Sequence, residues 1–255
     1  QGAWLIRIDD LDEKRCKQVY VDSILECLNE FDLKSSEPVR FQTDRISHYA
    51  QAFNTLEKNG LLYSCDCTRN SLPCGPYPGF CRHRIGKPVI SDYAVRIDTI
   101  EIDLTIDDQI TEIQGSDAPG DFIIRRRDGL FAYQLACAVD EHIDKVTHVI
   151  RGIDLLESTI MQRFIAERLG YRSPMYGHFP ILLGSDGTKL SKQTFAKPVD
   201  LSHPGQSFAA IARLLLLNDT PSHKDRPNVW IDYFLSLDNL MSVITGVSEA
   251  NTLSE

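Results

Sequence analysis

Ala3-Trp-Leu-Ile-Arg-Ile-Asp-Asp-Leu-Asp12 decides the fold class of this chain. Its apolar half reads as a buried strand, and it ends in a cluster of acids. Beyond it Cys16, Tyr20, Ile24 and Leu28 recur every fourth residue, which predicts a helix to about Asn29. A strand feeding a helix in this way marks an α/β domain with a parallel sheet. A sheet that starts at residue 3, with neither a first strand nor a phosphate loop before it, is expected to continue from an earlier segment. Ser47 is the expected cap of a second helix, with Tyr49, Phe53 and Leu56 on one face and Gly60 as its stop.

The middle of the chain changes character. Residues 61–67, 93–98, 101–106 and 121–126 are short strand-like runs broken by Gly, Pro and Asp, and Asp128-Gly129 is a hairpin signal. A small insertion is expected over about 64–125. Residues 131–143 then read as a helix and 146–151 as a strand. Residues 155–169 read as a helix with Leu156, Ile160 and Phe164 in phase and Gly170 as its stop. Ile181-Leu182-Leu183 reads as a short strand that feeds Gly184-Ser-Asp-Gly-Thr-Lys-Leu-Ser-Lys192. Two lysines on a Gly-rich turn suit a triphosphate whose charge shifts during reaction. After Pro204 the chain turns helical, over 207–218 and again over 229–242.

The chain has 255 residues, 42% of them hydrophobic, enough for a full core with a small appendage. No apolar run approaches the roughly 20 residues that span a bilayer, and no signal peptide is visible. A cytoplasmic protein without membrane contact is expected. The formal charge of −9 argues against nonspecific DNA binding, while a local basic face remains compatible with RNA. Seven cysteines do not make a complete disulfide framework. Cys16, Cys27 and Cys137 sit in helical patterns and read as small core hydrophobes.

The other four crowd into residues 65–81. Cys65-Asp-Cys67, then Cys74, Tyr77 and Cys81 in a Gly- and Pro-rich loop, form a plausible tetrahedral zinc knuckle. The fourth ligand is open between Cys74, Tyr77 and His83. Thiolate chemistry favours Cys74, because a tyrosine must lose a proton with a pKa near about 10.

Four runs fall at expected strand ends or helix starts: Arg7-Ile-Asp9-Asp10, Asp128-Gly-Leu-Phe-Ala-Tyr133-Gln134, Arg151-Gly-Ile-Asp154-Leu155 and the lysine turn. In an open α/β sheet the carboxyl ends of the strands form the ligand crevice. A carboxylate of the first run suits a substrate amine, Arg151 suits a carboxylate held bidentately, and Tyr133 suits a hydrogen bond to the same molecule. Taken singly, Arg7 and Asp9 also read as a structural ion pair.

These runs resemble the catalytic part of a class I aminoacyl-tRNA synthetase of the glutamyl/glutaminyl kind, over about residues 1–220. Lys-Leu-Ser-Lys-Gln at 189–193 is similar to the second hallmark motif of that class. Arg-Gly-Ile-Asp-Leu at 151–155 and Asp121-Phe-Ile-Ile-Arg-Arg-Arg-Asp-Gly-Leu-Phe-Ala-Tyr133 are similar to two further family runs. The resemblance is greatest to the subfamily that carries glutamate to the queuosine base of tRNA(Asp). Only 63 residues follow Lys192, too few for an anticodon-binding region. The Cys-x-Cys and Tyr-x-x-x-Cys pattern also resembles that subfamily's zinc site.

The resemblance implies a Rossmann-like catalytic fold in two parts, 1–63 and 126–200, with a zinc-containing α+β subdomain at 64–125 and a helical region at 201–255. It implies one structural zinc on Cys65, Cys67, Tyr77 and Cys81. It implies that Asp9, Tyr133, Arg151 and Arg7 hold L-glutamate, and that Lys192, Lys189 and Ser191 hold ATP with Mg²⁺. Lys192 and Lys189 would be the catalytic groups. The partner would be tRNA(Asp) carrying queuosine, bound by a monomer, with Arg125, Arg126 and Arg127 as an RNA-facing run. The sequence departs from the family in two places. The first hallmark motif falls before Gln1, and Asp9 stands where the subfamily usually has Glu. A truncated synthetase charging tRNA(Glu) and a non-catalytic RNA-binding derivative are the rival readings.

Overall fold

A computed structural model describes residues 4–100, 102, 105–110, 119–181, 199–215, 217 and 219–237. The opening strand is short: only β1 (Arg7–Ile8) pairs, in parallel, with β2 (Arg40–Phe41). Helix α1 (Gln18–Glu30) connects them, as the strand-then-helix pattern predicts. Its buried face differs by one position from the expected one. Val21 is buried and Leu25 and Leu28 are half-buried, whereas Tyr20 and Ile24 are exposed and Cys16 precedes the helix. Both stripes are apolar, and docking selects between them.

Helix α2 (Ile46–Lys58) begins one residue before Ser47, with Arg45 in the capping position, so Ser47 is not its cap. Arg45 is there because its guanidinium is committed elsewhere. It reaches Asp140 at 3.0 Å and forks onto Asp144 at 2.9 and 2.8 Å. Asp140 is fully buried and also accepts from Gln42 Nε2 and the Tyr49 hydroxyl, each at 2.9 Å. A buried carboxylate is stable only when its lone pairs are taken in this way. The cluster ties the turn after β2, α2 and α3 (Tyr133–Ile143) into one body. Gly60 ends α2 at φ +73°, where a Cβ is disfavoured.

Strands β3 (Leu62–Cys65), β4 (Ala94–Ile97) and β5 (Ile123–Arg125) form an antiparallel sheet in that order. Each lies inside an expected run. No strand is present over 101–106 among its described residues, 102, 105 and 106. After β5 the chain turns at Asp128-Gly129, with Arg125 bridging Phe131 and Gly129 at φ +88°. The main core lies between this sheet and α2, α3 and α4 (Leu156–Arg168). Tyr49, Phe53, Leu56, Val95, Ile97, Ile124, Leu135, Phe164 and Ile165 meet there. Each contributes about 1.5–3 kcal/mol through burial.

Strand β6 (His148–Gly152) pairs in parallel with β7 (Met175–Phe179), and α4 makes the crossover. A βαβ unit therefore carries Arg151 at its carboxyl edge. The second strand comes earlier than Ile181-Leu182-Leu183, because Met175–Phe179 alternates Tyr176 and His178 into the interior. Leu182 and Leu183 lie outside the described residues. Helices α5 (Pro204–Leu214) and α6 (Pro227–Leu235) each start on a proline and enclose Phe208, Ala212 and Trp230, with Phe31 completing the cluster. No helix among the described residues is long and apolar enough to cross a membrane.

Candidate active site

The ends of β1 and β6 and the first turn of α3 bring four expected residues to one place. Arg7 Nε bonds Asp9 Oδ1 at 2.6 Å, and Arg7 Nη2 lies 3.4 Å from Cys137 Sγ. Tyr133 stands one helical turn before Cys137 and within electrostatic reach of Asp9 and Arg151. Burial of its hydroxyl, with the thiol beside it, holds the phenol protonated and able to donate. The residue as a whole remains 41% exposed and lines the cleft. Burial likewise pushes the Cys137 thiol up to about 12, against the opposing pull of Arg7.

Arg151 is nearly buried. Its Nε bonds Thr159 Oγ1 at 3.0 Å, Nη2 bonds the same oxygen, and Nη1 bonds Gln162 Oε1 at 2.8 Å. Gln162 Nε2 in turn donates to Gln134 Oε1 at 3.1 Å, next to Tyr133. A guanidinium has five N–H donors, so one on each terminal nitrogen is left for a ligand. Lys189, Ser191 and Lys192 lie outside the described residues.

Sequence reasoning missed Glu141, which burial pushes up to about 7 despite Arg151 and Arg7 nearby. Its reading of Cys137 as a buried core residue holds, and the thiol also lies against Arg7. The signal was available: 133, 137 and 141 fall on one face of α3 at four-residue steps. Of the arginine run, Arg126 is paired with Asp12 at 2.8 Å and Asp128 at 2.6 Å. Arg127 donates to the Asp66 carbonyl at 3.0 Å, and Arg125 lies over the Phe53 ring.

A cleft of about 1110 Å³ opens from Tyr133 and Gln134 past Asp154 and Glu157 to Pro76 and Tyr77. Beside Tyr77 the Sγ atoms of Cys65, Cys67 and Cys81 lie within 4.8 Å of one another and can hold a metal ion. Cys67 and Cys81 are 3.7 Å apart. The Tyr77 hydroxyl is 3.5 Å from Cys65 Sγ and 3.7 Å from Cys67 Sγ. A tetrahedron with metal–sulfur bonds of about 2.3 Å has edges of about 3.8 Å, so three thiols and a phenol of this spacing fit it. Cys74 is exposed and His83 Nδ1 faces the Phe80 carbonyl at 3.1 Å, and neither belongs to the group of three thiols. Arg96 lies 3.3 Å from Cys65 Sγ and stacks on the Tyr77 ring, 3.7 Å from its centroid. Burial raises the Cys65 pKa, but the hydrogen bonds from Tyr77 and Arg96 outweigh it and the thiol lies below its ordinary range.

Comparison with known proteins identifies the family. The family model for the catalytic domain of class I tRNA synthetases (E and Q) matches residues 1–74 and 91–212. The Glutamyl-Q tRNA(Asp) synthetase of Methylococcus capsulatus is 41% identical over 84% of this chain and 72% of its own length. The proteins of the same name from Acinetobacter baylyi and Janthinobacterium sp. are 37% and 38% identical, over 87% of this chain in each case and 78% and 80% of their own lengths. The solved structure of the glutamate-tRNA synthetase from Elizabethkingia anophelis superposes with a TM-score of 0.70 at 20% identity. It covers 90% of this chain, which spans 58% of that protein, and the likeness bears on the fold. On its motifs, fold and relatives, the chain belongs to the class I tRNA synthetase (E and Q) catalytic-domain family and is similar within it to the Glutamyl-Q tRNA(Asp) synthetases.

Proposed function

We propose that this protein activates L-glutamate with ATP and transfers the glutamate to queuosine at the wobble position of tRNA(Asp). The observation that carries the reading is the convergence of Arg7, Asp9, Tyr133 and Arg151 at the carboxyl ends of β1 and β6, in a chain of this family. Asp9 takes the substrate amine, Arg151 takes a carboxylate through its two remaining N–H groups, and Tyr133 donates to the same molecule. Arg7 orients Asp9 through its Nε–H.

The glutamate α-carboxylate attacks the α-phosphorus of ATP in line. A carboxyl oxygen–phosphorus bond forms, the bond to the bridging oxygen breaks, and pyrophosphate leaves with the electron pair. The protein contributes position and charge to this step. Lys192 is assigned to the developing phosphate charge, with Lys189 and Ser191 beside it and Mg²⁺ accompanying the nucleotide. A nucleophile on the modified base then attacks the acyl carbon and AMP leaves. The large cleft beside Tyr133 is wide enough to admit a nucleoside.

Cys65, Cys67, Tyr77 and Cys81 are the proposed zinc ligands, on the fit described above. Zinc bound there supplies folding energy to a loop with few large apolar residues. The proposed organisation is a catalytic domain in two parts, 1–63 and 126–200, around a zinc-containing subdomain at 64–125, followed by a helical region at 201–255. A cytoplasmic monomer is the proposed working form.

The test is ATP–pyrophosphate exchange with each amino acid, in the absence of tRNA and then in its presence. Glutamate alone is expected to support exchange, and Lys192→Ala to reduce it at least about a hundredfold. Exchange that requires tRNA(Glu) would replace this reading with an ordinary glutamate-charging enzyme. No exchange under any condition would point to an RNA-binding role.

A further inference from the structure

We infer that Thr159, its hydroxyl oriented by a buried His178–Asp108 pair, positions the Arg151 guanidinium for the amino-acid carboxylate. The inference rests on Arg151 binding glutamate, as proposed above. None of the three residues touches the reacting atoms, so all are positioning residues.

The argument is an accounting of protons. Thr159 is fully buried and its Oγ1 carries one proton and two lone pairs. Arg151 Nε and Nη2 both donate to that oxygen, which takes both lone pairs. The hydroxyl proton must then leave toward an acceptor. The nearest is His178 Nε2 at 2.7 Å, and the Leu155 carbonyl is farther at 3.2 Å. His178 Nε2 accepts only when the ring proton is on Nδ1. Nδ1 lies 2.5 Å from Asp108 Oδ2, and an ionised carboxylate only accepts, so Asp108 selects that tautomer. Asp108 Oδ1 is itself held by the backbone N–H groups of His178 at 3.1 Å and Ile110 at 3.0 Å.

His178 and the Asp108 side chain are excluded from water, so solvent does not substitute for either. The order Asp108, His178, Thr159, Arg151 thus fixes the direction of each hydrogen bond along the chain from Asp108 to Arg151. Gln162 and Gln134 hold the other arm of Arg151 against the turn that carries Tyr133. The consequence is a guanidinium locked in rotation, with one N–H on each terminal nitrogen left as a fork. A carboxylate bound by a pre-oriented fork loses less entropy than one bound by a mobile side chain.

Two substitutions separate positioning from mere packing. Thr159→Val keeps the volume and removes the oxygen, and Thr159→Ser keeps the oxygen. Asp108→Asn retains the shape but reverses one bond. The two backbone donors keep the amide oxygen at Oδ1, so the amide NH₂ faces His178 Nδ1. The ring proton then moves to Nε2, and Nε2–H competes with Arg151 for Thr159.

The measurements are calorimetric Kd values for glutamate and for ATP, and ¹⁵N spectra of the His178 ring. Thr159→Val and Asp108→Asn are each expected to weaken glutamate binding about tenfold or more and to leave ATP binding within twofold. Thr159→Ser should restore glutamate binding, and the spectra should show Nδ1 protonated in the wild type and Nε2 protonated in Asp108→Asn. Should Thr159→Val fail to fold, Asp108→Asn decides by itself. The inference is overturned if glutamate binding is unchanged while the tautomer moves, if the wild-type proton is on Nε2, or if glutamate and ATP binding fall together. Arg151→Gln separates the two levels. If it leaves glutamate binding intact, the assignment of Arg151 fails and the positioning role fails with it. If it abolishes binding while Thr159→Val and Asp108→Asn do not, only the inference above fails.

Discussion

At the residue scale the chain sets two carboxyl groups against each other. Asp121 is fully buried and takes Tyr63 Oη–H, two Arg82 N–H groups at 2.6 Å, and the N–H and hydroxyl of Thr99 at 3.0 Å each. Burial alone would raise its pKa, but these donors outweigh burial and the pKa is lowered from 3.8. Glu141 is half-buried with fewer donors, and desolvation raises it from 4.5 to about 7. The two act on stability with opposite sign. The contribution of Asp121 is present above its unfolded pKa and is lost as pH falls through the lower folded value. The contribution of Glu141 is present below its unfolded pKa and is lost as pH rises toward about 7. Urea unfolding across pH should therefore show a decline below about pH 4, shallower in Asp121→Asn. A second decline between 4.5 and about 7 should vanish in Glu141→Gln. Identical profiles in wild type and variants would refute this assignment.

At the element scale, periodicity located helices and strands but not their neighbours. β3, β4, β5, α3, β6 and α4 lie within or close to the expected ranges, because alternation and four-residue spacing are local properties. Two elements show the limit. α1 has two adjacent apolar stripes and buries the one through Val21, a choice that depends on what lies beneath it. The cysteine knuckle is closed by Gly120, which bridges Tyr77 across more than forty residues of chain. Gly120 sits at φ +66°, and a Cβ there would lie 2.8 Å from Tyr77 N and 2.9 Å from Tyr77 O. Gly120→Ala is expected to destabilise by more than the roughly 1–2 kcal/mol of the left-handed conformation alone. Gly60→Ala, at φ +73° with open space around its Cβ position, should show only that conformational cost. Equal losses in the two variants, read by urea unfolding, would mean that the Tyr77 contact is slack. Zinc titration of Gly120→Ala should also show weaker uptake, since Tyr77 must move.

At the scale of the whole molecule, a second apolar cluster ties the end of α1 to α5 and α6. Phe31, just past the end of α1, packs edge-on against Phe208 with centroids 5.4 Å apart, and Trp230 is fully buried behind it. Trp230→Ala should cost about 3–5 kcal/mol. Because Phe31 belongs to the same cluster, hydrogen exchange should quicken in α5, α6 and residues 27–33 together. Acceleration confined to α6 would show that the C-terminal helices pack independently of α1.

Local pattern was enough to specify the class of fold and the cysteine pair that starts the group of three thiols, and it nominated Arg7, Asp9, Tyr133 and Arg151, which the structure brings near one another. Each of these depends on residue type and spacing within one segment, where the period of a helix or strand dictates which side chains share a face. Spacing alone left Cys74, Tyr77 and His83 open; the family resemblance implied Tyr77, and the structure sets Tyr77 against the thiols. Tertiary structure alone joined Asp108, His178, Thr159 and Arg151, and it alone raised the pKa of the Glu141 carboxyl through desolvation. The partners in these sets are brought together from separate segments of chain. Hydrogen bonding and desolvation act on distance in space, and the chain closes that distance only when the core between the sheet and its helices has formed.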